Sequence, residues 1–155
     1  MTLDATLFNL MNSYGAFDVV SLMAFISNAT FAVIVLSALP FIRERQSAAD
    51  YIAAIITAIS FSIVLQQFFA FPRPPTAINP GSPYSFPSTH STSAFAWAGF
   101  MGKKYRPYEL IFYLFAALVA VSRVYIGVHY PIDVLSGAIL GWVIAVFLNK
   151  NKHSG

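Results

Sequence analysis

The sequence of 155 residues contains no cysteine and few charged residues. The absence of cysteine excludes a disulfide framework, a thiolate nucleophile and a cysteine-based metal site. Only 10% of the residues are Asp, Glu, Lys or Arg, whereas 57% are hydrophobic, and the mean hydropathy is +0.67. A soluble domain cannot cover its surface with polar groups from this composition. The composition therefore indicates an integral membrane protein.

Apolar runs that approach the roughly 20 residues a membrane-spanning helix needs occur at five places, about residues 17–42, 48–70, 88–102, 108–125 and 131–148. Ser27 and Asn28 interrupt the first run, which leaves open an interfacial helix followed by a span. Residues 3–14 have the pattern of a short amphipathic helix on the membrane surface. We expect an all-α fold, a polytopic transmembrane helix bundle of about five spans plus this N-terminal helix. It would form a single integral-membrane domain over residues 1–155.

The first ten residues lack the basic region and the cleavage pattern of a signal peptide, so we treat the chain as mature. Alternating spans place seven of the nine basic residues on one side: Arg43, Arg45, Lys103, Lys104, Arg106, Lys150 and Lys152. By the positive-inside rule that side is the cytoplasm. Arg73 and Arg123 fall on the extracytoplasmic side, which requires a functional explanation. Since no basic stripe alternates with aromatics, we expect no nucleic acid partner.

The extracytoplasmic loop from about residue 71 to 87 holds six of the nine prolines, which predicts a stiff, irregular segment. Pro87 suits the first position of a helix. The backbone N–H groups of Ser88, Thr89 and His90 would then form an anion site at the helix N-terminus, with the Ser88 hydroxyl as a further donor.

Pro131 likewise predicts a helix start, with Asp133 in the first turn and His129 four residues before it. The carboxylate can accept the Nδ1–H of His129 and leave Nε2 free to attack. Arg73 and Arg123 offer planar forks that match phosphate oxygens. His90 could protonate a leaving oxygen.

Each of these residues alone has an ordinary structural interpretation. A histidine at a helix end is usually satisfied by its neighbours, an arginine near a span end often reaches the lipid headgroups, and Asp133 could serve only as a helix N-terminal charge. Two arginines, two histidines and one aspartate grouped at proline-marked helix starts favour a phosphate site.

These residues resemble the motifs of the type 2 phosphatidic acid phosphatase superfamily, the integral-membrane lipid phosphatases related to acid phosphatases and vanadium haloperoxidases. Its signatures are K-x6-R-P, P-S-G-H and S-R-x5-H-x3-D. Residues 66–74 fit the first except that Gln66 replaces the lysine. Residues 87–90 fit the second except that Thr89 replaces the glycine, and residues 122–133 fit the third completely.

The resemblance implies a two-step hydrolysis without a metal or other cofactor. His129 would attack phosphorus with Asp133 assisting, and His90 would protonate the leaving group. The phosphoryl oxygens would be held by Arg73, Arg123, Ser88 and the N–H of Thr89, with Ser122 in support. Gln66 removes one of three expected positive charges, although its amide can still donate a hydrogen bond.

We expect a multi-pass enzyme of the cytoplasmic membrane that acts at the extracytoplasmic face on a lipid phosphate or diphosphate among membrane lipids. The leading substrate is a polyprenyl diphosphate such as undecaprenyl diphosphate, and no obligate protein partner is evident. Phosphatidic acid, phosphatidylglycerol phosphate and a lipid A phosphate remain alternatives. Two rival classes remain. One is a metal-dependent hydrolase, which needs several clustered carboxylates or histidines as ligands, whereas Asp133 is the only acid among the candidate site residues. The other is a non-catalytic lipid-binding or transport homologue.

Overall fold

The computed structural model describes residues 3–13, 17–41, 43–77 and 82–150. Six α-helices occupy most of these residues: α1 (Leu3–Ser13), α2 (Phe17–Leu36), α3 (Arg45–Phe69), α4 (Thr89–Lys104), α5 (Glu109–Tyr125) and α6 (Pro131–Lys150). Short 3-10 turns lie at Leu39–Phe41 and Arg106–Tyr108. A single β-bridge joins Pro72 to Tyr84 in the described part of the proline-rich loop, and Pro80 lies outside the described residues. The predicted all-α fold is confirmed.

Four helical segments are long and apolar enough to cross a membrane: Asp18–Phe41, Ser47–Phe69, Arg106–Tyr125 and Pro131–Leu148. The remaining predicted span, residues 88–102, corresponds to α4. This helix has only 16 residues and packs against α2, α3, α5 and α6. Because protein surrounds α4, it does not need the apolar surface that a lipid-facing helix needs. The bundle therefore consists of four apolar helices and one central helix of lower hydropathy.

Helix α2 is continuous across Ser27 and Asn28. The alternative of an interfacial helix followed by a separate span is therefore wrong. Ser27 is fully buried and accepts a hydrogen bond from Arg123, so its hydroxyl faces protein rather than lipid, whereas Asn28 is exposed. A polar residue of this kind is tolerated inside a spanning helix because its partner lies on a neighbouring helix.

Two glycines one turn apart allow α4 and α6 to pack closely. A Cβ atom at Gly141 would lie 2.2 Å from the Thr92 carbonyl oxygen, and one at Gly137 would lie 2.7 Å from that of Ser88. Small residues four apart are the usual means by which membrane helices approach each other. The Ser91 hydroxyl also donates to the Val134 carbonyl over 2.7 Å. These contacts fix the start of α6 beside the start of α4.

The opposite end of the bundle is held by an aromatic cluster and an ion pair. The ring of Phe41 lies 5.4 Å from that of Tyr51 and 5.6 Å from that of Phe100, and Lys104 pairs with Glu44. Because α3 and α5 end, and α4 and α6 begin, at the other end, the predicted site residues share one end of the bundle.

Helix α1 packs over the segment that joins α5 to α6. The ring of Phe8 lies 5.2 Å from that of Tyr130, Asn12 Nδ2 donates to the Val124 carbonyl over 3.0 Å, and Asp4 Oδ1 accepts the Ile132 N–H over 2.9 Å. Three leucines of α1 are exposed: Leu3, Leu7 and Leu10. This two-faced arrangement is the one expected of the predicted surface helix.

Candidate active site

A cavity of about 250 Å³ lies where these helix ends meet. Six of the nine predicted site residues line it: Gln66, Arg73, Thr89, His90, Arg123 and His129. They come from five successive segments, which are α3, the proline-rich loop, α4, α5 and the segment before α6. Asp133, Ser88 and Ser122 do not line the cavity and lie behind it.

The catalytic pair predicted from spacing is in contact. His129 Nδ1 lies 3.4 Å from Asp133 Oδ2, and both side chains are about 1–2% exposed. The same Oδ2 accepts the Tyr130 N–H over 2.9 Å, which fixes the carboxylate. Since 3.4 Å is long for a charged hydrogen bond, Nδ1 has no hydrogen-bond partner of ordinary geometry among the described residues. Asp133 lies in the first turn of α6, which begins at Pro131 as predicted.

Arg73 determines which nitrogen of His129 carries the proton. Arg73 Nη1 lies 3.0 Å from His129 Nε2. A guanidinium has donors and no acceptor, so Nε2 must accept and the proton of the neutral ring must be on Nδ1. This is the tautomer predicted for a nucleophilic Nε2, with Nδ1–H directed at Asp133.

Two backbone carbonyls hold the Arg73 side chain in place. Its Nε donates to the Ser82 carbonyl over 2.7 Å, and Nη1 donates to the Val128 carbonyl over 2.9 Å. The second bond ties the proline-rich loop to the residue before His129. Thr76 adds a bond of 2.7 Å to the carbonyl of Gly127, whose φ of +75° is a conformation that glycine adopts without strain.

Burial keeps the His129 imidazole neutral. Loss of hydration lowers the pKa of His129 to about 4, Asp133 opposes the shift, and the charges of Arg73 and Arg123 add to it. Burial also lowers the pKa of Arg73 while Asp133 raises it, but a guanidinium stays charged at physiological pH. The cavity therefore presents an uncharged imidazole beside fixed positive charge.

Arg123 provides the second positive charge, from the last turn of α5. Its Nη1 donates to the Ser27 hydroxyl, which the sequence did not point to. Its Nε is buried and has no hydrogen-bond partner among the described residues. An unpaired buried donor costs about 1–3 kcal/mol or more. This N–H is therefore available for an anionic oxygen in the cavity.

Ser88 caps α4. The prediction that Pro87 is the first helical residue is wrong, because the helix begins at Thr89 and the Ser88 oxygen accepts the Ser91 N–H over 3.4 Å. A serine oxygen can satisfy a first-turn N–H, whereas proline has no side-chain acceptor. The Ser88 N–H donates to the Asp133 carbonyl over 3.0 Å. The free N–H groups expected at this helix start are thus those of Thr89 and His90.

Ser122 is fully buried, and its hydroxyl donates to the Val119 carbonyl over 2.7 Å within α5. It supports the helix that carries Arg123. His90 lines the cavity with its ring 4.7 Å from that of Phe31, at an edge-to-face angle of 62°. This contact with α2 orients the second imidazole toward the same space as His129.

The two departures from the family signatures contact each other. Gln66 Nε2 donates to the Thr89 hydroxyl over 3.1 Å and to the Pro87 carbonyl over 2.9 Å, and Gln66 is 4% exposed. Ser62 donates to the same Thr89 oxygen over 3.0 Å. A neutral hydrogen-bonded group therefore occupies the position at which the signature has a lysine.

Sequence reasoning missed Ser27, Ser62 and Ser82 at this site. Ser62 precedes Gln66 by one helical turn, which is a signal for a shared face. Ser27 pairs with a residue 96 positions away, and no local pattern indicates that. Within the described ranges, no group of three or more His, Cys, Asp or Glu residues could hold a metal ion.

The fold and the site together define a class of protein, namely a membrane-embedded helical bundle with a cavity at one end that is formed around Arg, His and Asp residues. Residues 47–153 match the PAP2 superfamily, and the chain belongs to that superfamily of phosphatases. The undecaprenyl-diphosphatase of Sulfolobus acidocaldarius is 31% identical over 122 residues, which cover 66% of this chain and 54% of that protein. The chain spans about half the length of the curated relatives it matches.

Solved structures share the fold over nearly the whole chain. The crystal structure of LpxE from Aquifex aeolicus superposes with a TM-score of 0.80 at 26% identity, covering 97% of this chain and 96% of that one. A transmembrane PAP2-type phosphatidylglycerolphosphate phosphatase from Bacillus subtilis superposes with a TM-score of 0.81 at 24% identity, covering 98% and 87%. The predicted family and its membrane fold are confirmed.

Proposed function

We propose that this protein hydrolyses a lipid diphosphate and releases inorganic phosphate, with a polyprenyl diphosphate such as undecaprenyl diphosphate as the leading substrate. The observation that carries the proposal is the contact of Arg73 Nη1 with His129 Nε2 over 3.0 Å. This contact supports the proposal because a neutral imidazole and a guanidinium, which could serve as nucleophile and phosphate ligand, meet at one point of the cavity. The similarity to an undecaprenyl-diphosphatase supports the choice of substrate.

The surroundings of the cavity support a substrate with an apolar chain. Phe31 from α2 and Ile63 from α3 line it together with the polar groups. Helix α2 packs mainly on α5 and α4, whereas α3 packs on α4 and α6. Ile63 is 47% exposed, so one wall of the cavity borders the lipid-facing surface. A chain that remains in the membrane could therefore present its phosphate end to His129.

The size of the cavity favours a simple headgroup. Its volume of about 250 Å³ lies below the roughly 300–1,000 Å³ of typical small-molecule cavities. A phosphate or diphosphate fits within this volume, whereas a sugar-bearing headgroup requires more space. The small volume supports our choice of polyprenyl diphosphate, phosphatidic acid or phosphatidylglycerol phosphate over a lipid A phosphate.

In the first step His129 Nε2 attacks the terminal phosphorus, the P–O bond to the leaving group breaks, and a P–N bond forms. Arg73, Arg123 and the N–H groups of Thr89 and His90 hold the equatorial oxygens. Asp133 stabilises the positive charge that develops on the His129 ring. His90 takes up a proton as the anionic diphosphate enters the cavity, because that negative charge favours the imidazolium, and donates it to the departing oxygen of the lipid monophosphate.

In the second step His90, now deprotonated, accepts a proton from water. The resulting oxygen attacks the phosphohistidine, the P–N bond breaks, and His129 is regenerated with inorganic phosphate as product. Ser88 and Ser122 act as positioning residues rather than by touching the phosphate, since their hydrogen bonds hold α4 and α5 in place. Gln66 orients Thr89 at the edge of the anion site.

Phosphate release by the purified protein over a panel of lipid monophosphates and diphosphates tests the proposal. We expect polyprenyl diphosphate to be hydrolysed with the highest kcat/KM. His129→Ala should abolish release from every lipid, while the variant keeps the thermal unfolding of a folded bundle. Release that survives this substitution would end the phosphohistidine mechanism. A panel with no turnover at all would favour the lipid-binding or transport homologue.

Metal independence needs its own test because the rival class is a metal-dependent hydrolase. We propose that His129 supplies the nucleophile and the two arginines supply the charge, so a chelator should leave turnover unchanged. Abolition by a chelator, with recovery on adding a divalent cation, would contradict this. Vanadate can adopt the five-coordinate geometry of the transition state and should compete with substrate.

A further inference from the structure

A charged cavity lies at the end of the bundle remote from His129. It has a volume of about 280 Å³ and is lined by Lys103, Arg106 and Glu109 among other residues. Lys103 follows Thr89 by fourteen residues along α4, which is about 21 Å at 1.5 Å per residue. This cavity is therefore separate from the candidate active site and plays no part in the mechanism above.

An apolar cavity of about 220 Å³ adjoins the charged one. Tyr113 and Trp142 line both cavities, so the two form one furrow, with aromatic side chains at the junction. Beyond this junction the furrow is lined by Phe95, Ala138 and Ile139. The furrow is thus charged at one end, aromatic in the middle and apolar at the other end.

The furrow follows the helix axes. On α6 it extends from Val146 to Ala138, eight residues or about 12 Å. Small residues form part of its wall, including Gly99 and Ala145, and a Cβ at Gly99 would lie only 2.5 Å from that of Ala145. Trp142 is 50% exposed, so the furrow opens on the lipid-facing surface.

We propose that this furrow binds a membrane phospholipid with an anionic phosphodiester headgroup and hydroxyl donors, with its acyl chain along the apolar part. Two cations and one carboxylate, Lys103, Arg106 and Glu109, give the charged end a formal charge of +1, which matches the single negative charge of a phosphodiester. Lys103 and Arg106 bind the phosphate oxygens, and Glu109 accepts from a headgroup hydroxyl. Tyr113 and Trp142 lie where the charged part meets the apolar part, and each ring combines an apolar body with a polar O–H or N–H.

The shape of the furrow favours a lipid over a small anion. A free phosphate would occupy only the charged end and leave the apolar part without an occupant, whereas a phospholipid fills both. The site lies in the membrane leaflet opposite to the candidate active site, so it does not compete for the substrate headgroup. It is therefore a second lipid site with a different position and a different charge from the first.

Fluorescence quenching provides the test, because the chain has only two tryptophans. Trp97→Phe leaves Trp142 as the sole reporter in the full-length protein in mixed micelles. Brominated phosphatidylglycerol should quench Trp142 at lower mole fraction than brominated phosphatidylcholine with the same chains. The expected preference is about fivefold for each basic residue engaged. Equal quenching by the two lipids would overturn the proposal.

A matched pair of variants separates a specific site from general surface charge. Lys103→Gln/Arg106→Gln removes the phosphate ligands and should abolish the preference for phosphatidylglycerol. Arg43→Gln/Lys104→Gln removes two charges from the same end outside the furrow and should leave the preference intact. If both variants lose the preference for phosphatidylglycerol, or if neither does, the furrow is not a specific binding site. Glycerophosphoglycerol has the singly charged phosphodiester headgroup without the acyl chains, and displacement of the brominated lipid by it would overturn the assignment to a lipid.

Discussion

In the proposed mechanism, the bond from Arg73 to His129 occupies the lone pair that attacks phosphorus. Substrate binding must therefore draw the guanidinium from Nε2 to a phosphoryl oxygen, and the charged oxygen is the stronger acceptor. The same movement would free Nε2 at the moment the phosphate arrives. In this way Arg73 first fixes the tautomer of the nucleophile and then binds the group that the nucleophile attacks.

The pH dependence of activity tests the burial of His129. Its pKa of about 4 lies below the value of about 6.5 for an exposed imidazole. The nucleophile therefore remains neutral at all pH values above about 4, and we expect the acidic limb of kcat/KM near pH 4. A limb near pH 6.5 that is the same for monophosphate and diphosphate substrates would contradict this burial. NMR titration of labelled histidine, assigned with His129→Asn, gives the pKa directly.

The same shift affects stability. Because the folded pKa of His129 is depressed, the unfolded chain binds the proton first as the pH falls. The contribution of His129 to stability is unchanged above about pH 6.5 and becomes unfavourable between about pH 6.5 and pH 4. Thermal unfolding in detergent should therefore lose stability over this window, and His129→Asn should lose less.

Gln66 and Thr89 should behave as one unit. Their side chains share a hydrogen bond of 3.1 Å, so their substitutions should not be additive. In a cycle of Gln66→Leu, Thr89→Val and the double variant, we expect a coupling of about 0.5–3 kcal/mol in kcat/KM. Gln66→Leu combined with Ile139→Leu, a lipid-facing change, is the control and should be additive. An additive Gln66–Thr89 pair would contradict a shared function.

At the scale of the helices, spacing was a good guide to the site and a weaker guide to packing. His129 and Asp133 could be paired from the sequence because both lie within one turn of the proline that starts α6. Ser27 could not be matched to Arg123, because that contact depends on how α2 packs on α5. The predicted start of α4 at Pro87 was two residues too early, because the capping oxygen of Ser88 determines where the helix begins.

The close packing of α4 and α6 predicts that Gly141 cannot be enlarged. Its Cβ would lie 2.2 Å from a backbone carbonyl, so Gly141→Ala must push the helices apart. We expect a lower unfolding temperature and a loss of phosphatase activity, because the starts of both helices hold the site. Ala138→Gly on the same helix is a control that adds no volume. Gly141→Ala with wild-type stability and activity would contradict the packing described here.

At the scale of the whole molecule, the number of helices and their common end were predictable from apolar runs and prolines. The central position of α4 was not predictable, because a short helix with moderate hydropathy has the same sequence pattern whether lipid or protein surrounds it. The spacing of Gly137 and Gly141 was the available signal for that close contact. The direction of the bundle across the membrane rests on the positive-inside rule alone.

The lack of cysteine permits a direct test of that direction. A single cysteine in place of Pro83, an exposed residue in the proline-rich loop, would lie at the end of the bundle that holds the candidate site. One in place of Pro107, exposed between α4 and α5, would lie at the opposite end. A membrane-impermeant maleimide added to intact cells should label Pro83→Cys and should label Pro107→Cys only after lysis. The reverse pattern would place His129 on the cytoplasmic side, and Arg73 and Arg123 would then obey the charge rule rather than depart from it.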